Sequence, residues 1–239
     1  MNRPASFWPA LFLIASGSLA AGCGNDGGVS EPDVNPGLLE AANTGGLAAD
    51  GALPQGAASF TGPAGLAMDA TAEEFIQQLT LDDGTVWRTS GITVRAVPDE
   101  AVTGSPIDYL SFSSANTGSL ASVPPGTYTI SGTWPEIDFI NQVKLSAASI
   151  RQPGSRDAIY ATSGTFTIQG VNYFNDVYTC SLNFASGTVT VDECYYQIGV
   201  LRGVVEFTVP LADGTGPVVQ PRTEFALPIM RRTIMLRSK

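Results

Sequence analysis

Apolar and polar side chains alternate along much of the second half of this chain. Ile92-Thr93-Val94-Arg95-Ala96-Val97, Gly126-Thr127-Tyr128-Thr129-Ile130 and Gly164-Thr165-Phe166-Thr167-Ile168 show the pattern most clearly. Leu110 with Phe112, Val189 with Val191, Val205 with Phe207 and Val209, and Phe225 with Leu227 repeat the spacing. Side chains at i and i+2 share a face of a strand, so these runs predict half-buried strands bounded by Gly, Pro, Ser and Asp. The density of such runs predicts an all-β domain over 66–239: an antiparallel β-sandwich or barrel-like fold of about eight to ten strands. One segment departs from the pattern. Thr71-Ala72-Glu73-Glu74 has the form of a capping box, with Phe75, Ile76 and Leu79 as a short apolar face, and predicts one short helix ending at Asp82-Asp83-Gly84.

The first 65 residues follow a different logic. Arg3 is followed by a mostly apolar stretch from Phe7 to Ala21, and no further charge occurs until Asp26. A short basic start and an apolar run below the ~20 residues of a membrane span predict an export signal over 1–22. The run ends in Leu19-Ala20-Ala21-Gly22-Cys23. This resembles the lipobox of bacterial lipoproteins, with Ala20 standing where that family usually has Leu. The resemblance implies that Cys23 is the first mature residue and carries acyl chains. Each buried methylene adds ~0.8 kcal/mol, so several chains hold a soluble domain on a bilayer. In that family Asp after the cysteine often retains a protein in the inner membrane. Gly24 leans instead toward the outer membrane, with a location in the cell envelope either way.

Residues 24–65 contain ten Gly and four Pro and keep no apolar period. Together with Cys23 they are expected to form a flexible tether, 23–65, that spans roughly 35 Å root-mean-square at ~5.5 Å × √n. No Lys or Arg lies between Arg3 and Arg88, while ten acids do. Anionic lipid would therefore repel this stretch.

Two cysteines remain, Cys180 and Cys194, and export predicts that they pair. A turn at Ser186-Gly187 lies between them. A two-residue turn there pairs Leu182 with Val191 and Phe184 with Val189, but sets Cys180 against Glu193. Direct pairing of the cysteines shifts the register by one, and a one-residue bulge satisfies both demands.

Composition narrows the chemistry. There is no histidine, so imidazole catalysis and imidazole metal ligation are absent. A net charge of −10 and a pI near 4.3 argue against nucleic acid as partner. No cofactor or metal motif is present. The acid pairs Asp82-Asp83, Asp99-Glu100, Glu136 with Asp138, and Asp192-Glu193 read mainly as turn residues, and no catalytic residue is assigned. Aromatics concentrate around the cysteines: Tyr173, Phe174, Tyr178, Tyr195 and Tyr196. Adjacent rings on a strand face opposite ways, so one of each pair is a candidate for binding a glycan or a protein. Met230 to Lys239 holds a basic tail, expected to be a frayed, solvated end, with a terminal strand as the alternative.

Gly126-Thr127-Tyr128, Ser163-Gly164-Thr165-Phe166-Thr167-Ile168 and Gly203-Val204-Val205-Glu206-Phe207 together resemble small β-rich bacterial lipoproteins, a resemblance that implies no activity. The expectation is a lipid-anchored envelope protein that acts as a non-catalytic binding or structural module. The alternative is an envelope hydrolase that acts on glycans through paired carboxylates.

Overall fold

Strands form where the alternation is strong, and neighbouring runs merge into longer elements. The computed structural model describes residues 59–99, 102–130, 144–180, 182 and 189–238. The strands are β1 (Ser59–Thr61), β2 (Ala67–Thr80), β3 (Val86–Pro98), β4 (Tyr109–Thr117), β5 (Gly126–Thr129), β6 (Lys144–Arg151), β7 (Ile159–Tyr160), β8 (Ser163–Tyr173), β9 (Tyr178–Thr179), β10 (Val189–Pro210) and β11 (Pro217–Ser238). A single 3-10 turn, Pro63–Gly65, is the only helical element among the described residues. The expected all-β domain is present.

The hydrogen-bonded order is β5-β8-β10-β11-β2-β3-β4-β6-β7, with β1 on β2 and β9 on β10. Pairings are antiparallel except for β11 beside β2, which is parallel. The sheet curls on itself into a half-barrel. Phe112 on β4 meets Phe166 on β8 with ring centroids 5.1 Å apart, although β10, β11, β2 and β3 lie between those strands in the sheet. Phe60 and Phe225 complete the ring cluster around Phe112. Leu110, Ile150, Ile168, Leu201 and Leu227 fill the same interior. Edge-to-face and tilted rings at these separations contribute ~0.5–1.5 kcal/mol each beyond the area they bury.

Three expectations are corrected. The segment with the capping box is strand, not helix. Met68, Ala70, Ala72, Glu74 and Ile76 are buried at alternate positions of β2, which hydrogen-bonds to β3 on one edge and to β11 and β1 on the other. A cap contributes about 1 kcal/mol to a helix too short to persist alone, and ladders on both edges outweigh it. The domain also begins before residue 66. Ser59–Thr61 pairs with Ala67–Asp69, and Phe60 is buried in the core. The basic tail is not frayed: it is the second half of β11, paired with β10 and β2 through Arg237. Cys23 and residues 24–58 lie outside the described residues.

Cys180 and Cys194 form a disulfide, with Cα atoms 5.0 Å apart. The ladder on this side pairs Tyr195 with Thr179 and Tyr196 with Tyr178, and the Cys180 amide donates to the Cys194 carbonyl. This is the direct register of the two cysteines. β10 carries a register shift between Val191 and Glu193, where Asp192 is the extra residue against β11. This shift lies on the β11 side of β10, and the pairing of Leu182 and Phe184 with Val189 and Val191 involves residues outside the described ones. The turn at Ser186-Gly187 lies outside the described residues.

Candidate functional site

The interior of the curled sheet changes character along its length. One half is aromatic and aliphatic; the other half carries polar groups on the same faces. A single row across six strands explains this. Gln197 on β10 pairs with Arg231 on β11, Arg231 with Glu74 on β2, Glu74 with Ile92 on β3, and Ile92 with Ser114 on β4. Ser114 pairs in turn with Ser146 on β6. Register neighbours have their side chains on the same face of a sheet, so these groups converge.

Glu74 is fully buried, and its carboxylate is completely engaged. Arg231 Nε donates to Oε2 at 2.7 Å, the Tyr173 hydroxyl donates to the same oxygen, and the Val123 amide donates to Oε1 at 3.3 Å. The Arg231 guanidinium lies 3.7 Å from the centroid of the Tyr173 ring. Its other nitrogens donate to Ser122 Oγ at 2.7 Å and to Gln197 Oε1 at 3.5 Å. Burial and the neighbouring Glu74 carboxylate push the Tyr173 phenol far above its ordinary range. Burial alone would lower Arg231, but its hydrogen bond to Glu74 and the attraction of that charge raise it. The group is therefore a satisfied ion pair with a neutral tyrosine. Both carboxylate oxygens are already held by protein donors, which leaves little of the group free to meet a substrate.

Tyr173 reaches Glu74 because its cross-strand partner is Gly199. A Cβ on Gly199 would crowd the Tyr173 ring and the Asn172 carbonyl. Val123 is buried in the core from the segment between β4 and β5, so Ser122 and Val123 tie that segment across the polar end.

The segment leads directly into a cleft of about 390 Å³ lined by residues 124–129, Leu145 and Ser146. It lies at the seam of the curled sheet. β5 ends the strand order on one side, and the stretch of β6 before Ser149 has β4 as its described neighbour. The Tyr128 hydroxyl donates to the Pro124 carbonyl and closes one wall. Ser146 Oγ accepts from Ser114 Oγ at 3.1 Å and donates to the Ser113 carbonyl at 3.0 Å. No Asp, Glu, Lys or Arg lines the cleft among the described residues. Ser90 Oγ, fully buried on the interior face of β3, has no hydrogen-bond partner among the described residues.

The aromatics singled out in the sequence are mostly engaged. Tyr173 belongs to the ion-pair cluster. Phe174 packs on Val200 outside the main core. Tyr196 is buried with Tyr178 stacked on it, ring centroids 4.9 Å apart. Tyr195 is exposed. The expected split of Tyr195 and Tyr196 between faces is present, but it leaves one exposed ring rather than a platform.

The acid pairs serve local structure. Asp83 accepts from the Thr85 amide at 2.8 Å, and this backbone bond holds its carboxyl below the usual range. Asp82 accepts from Ser238 Oγ at 2.7 Å, and Asp192 takes two donors from Arg237. Glu100, Glu136 and Asp138 lie outside the described residues. Among the described residues no three His, Cys, Asp or Glu side chains group as metal ligands.

Glu74 and Arg231 are the pair that sequence reasoning missed. Glu74 was hidden in the apparent capping box, and Arg231 in the apparent tail. The available signal was parity: Glu74 falls on the same two-residue period as Met68, Ala70, Ala72 and Ile76.

The described residues form an all-β half-barrel with a cleft where β5 and β6 approach, lined among them by no charged side chain. Comparison of the chain with protein-family models, curated proteins and solved structures finds no match to any of them.

Proposed function

We propose that this is a lipid-anchored cell-envelope protein whose β domain acts as a non-catalytic binding module at the envelope surface. The cleft between β5 and β6 supports a binding role, since its volume falls within the range of small-ligand sites. The interior carboxylate does not compete for a catalytic role, because Arg231, Tyr173 and Val123 occupy its oxygens. The small-residue run ending at Cys23 supports the anchor, and Gly24 favours the outer membrane.

Two experiments test this reading. Cells that express the chain are labelled with a fatty acid, and Cys23→Ala is expected to abolish incorporation and to leave an uncleaved or soluble product. Equal labelling of variant and parent overturns the anchor. The acylated protein is then captured in detergent from intact envelopes and is expected to retain bound envelope material unchanged. Turnover of that material would replace the binding module with the hydrolase alternative, in which Glu136 and Asp138 are the first acids to substitute.

A further inference from the structure

We infer that residues 38–58, the stretch of chain that leads into β1, dock as a strap on the outer face of the sheet, across the C-terminal halves of β2 and β11. The inference goes beyond the binding role proposed above and needs neither the cleft nor a ligand.

The first observation is a buried face with no described layer above it. Glu73 and Arg232 meet on the side of the sheet opposite the Glu74–Arg231 pair. Side chains alternate along a strand, so Gln77 and Leu79 of β2 share that outer face with Ile234 and Leu236 of β11. Leu236 is 1 % exposed, Ile234 2 %, and Gln77 and Leu79 4 % each. Leu79, Ile234 and Leu236 stand apart from the interior cluster. Neighbours on one sheet cover each other's flanks, but closing their tops takes a second layer about 10 Å above the first. All eleven described strands lie in the one curled sheet, so none of them is that layer. The elements packed on β2 and β11 are their sheet neighbours and the 3-10 turn beside β1. These exposures are those of the chain by itself, which assigns the cover to a part of the chain outside the described residues. Gln77 Oε1 is buried there with no hydrogen-bond partner among the described residues, and a covering backbone N–H would satisfy it.

The second observation is the path of the chain, which selects the segment. β3 holds one edge of β2 along its whole length. β1 and β11 share the other edge, β1 opposite Ala67–Asp69 and β11 opposite Ala72–Thr80. β1 is antiparallel to β2, so the chain followed backward from Ser59 heads along β2 toward Leu79 and meets β11 at Ile229. It cannot stay in the sheet, because β11 occupies that edge from there on. It cannot drop inward, because Ala70, Ala72, Leu227 and Ile229 fill the core beneath. It leaves on the outer side, aimed at the covered residues. Asp69 to Leu79 is roughly 33 Å at ~3.3 Å per residue, a distance that about ten residues before Ser59 span. Residues 38–58 bring Leu38, Leu39, Leu47 and Leu53 to this face, with small alanines and glycines between them.

Under the lipid anchor proposed above, docking leaves residues 24–37 as the free leash. Its reach is roughly 21 Å at ~5.5 Å × √n, against roughly 33 Å for 24–58 wholly free, so the domain is held closer to the lipid surface.

The test uses the full chain as purified from cells in detergent, with hydrogen exchange read peptide by peptide. Amides within 38–58 are expected to exchange at least tenfold more slowly than in a free peptide of the same sequence. Exchange at the free-peptide rate overturns the strap. Gln77→Cys then places a thiol on the covered face, and its maleimide labelling is followed by peptide mapping. Deletion of residues 38–58 is expected to speed that labelling at least tenfold. If the shortened chain unfolds, Leu47→Ser with Leu53→Ser weakens the strap without altering the sheet, and is expected to speed both exchange and labelling. Unchanged labelling in a folded deletion or serine variant overturns the strap and gives the cover to residues 131–143 or 183–188. No readout depends on acylation, so failure of the anchor leaves the result intact.

Discussion

Glu74 carries its charge where its neighbours on the same face are Ala72 and Ile76. A buried carboxylate costs several kcal/mol of desolvation, which only close and complete pairing offsets. Here Arg231, Tyr173 and Val123 supply that pairing. Glu74→Gln leaves Arg231 without its counter-charge, and is expected to cost about 3–5 kcal/mol in urea unfolding. Arg231→Met is expected to cost a similar amount. The double variant Glu74→Gln with Arg231→Met should cost clearly less than the sum, because neither charge remains unpaired. Additive losses would show that the pair is not coupled. Glu73 is next along β2. Burial raises its carboxyl above the ordinary 4.5, only partly offset by Arg232. A raised carboxyl contributes stability that is full below pH 4.5 and is lost as pH rises through the folded value. Glu73→Gln keeps the uncharged form at every pH. It is expected to melt higher than the parent at pH 7, with the difference vanishing below about pH 4.5. A constant difference across that range would remove the burial argument.

At the level of the element, the disulfide and the bulge act on the same short stretch of β10. The cysteines are 14 residues apart, and closing a loop of that size contributes ~3 kcal/mol in the chain-entropy model. Cys180→Ser with Cys194→Ser is expected to lower stability by roughly that amount. The fold should persist, because β10 remains paired with β11 from Glu193 to Val205 without them. Near-ultraviolet circular dichroism and urea unfolding would report both. Loss of cooperative unfolding would mean that the bond defines the domain rather than bracing it.

For the whole molecule, the parallel contact of β2 with β11 joins the two ends of the described chain. This is a long-range pairing, slow to form and dependent on every strand between. β1 continues that closure at the N-terminal side, with Phe60 among the rings of Phe112 and Phe225. Phe60→Ala is expected to cost about 3–5 kcal/mol, and a chain that starts at residue 66 should be destabilised to a similar degree. Limited proteolysis of the parent should spare the chain from residue 59 onward. Equal stability of chains starting at 59 and at 66 would contradict the role of β1.

The two-residue period and the Gly, Pro and Ser punctuation determined that this is a β protein, because pleating alone dictates which residues share a face. The same pattern named most strands, and the cysteine count in a chain read as exported determined the disulfide. What the pattern did not determine is which strands become neighbours across distance. The Thr71–Glu74 segment satisfies a local helix signal and a strand alternation equally well, and only the ladders from β3 and β11 decide between them. The row of Gln197, Arg231, Glu74 and Ser114 exists because strands from four parts of the chain fall into register. The seam cleft exists because β5 and β6 meet without hydrogen-bonding when the sheet curls. Both depend on closure of the sheet, which is a sum of weak long-range contacts that no local window of sequence contains.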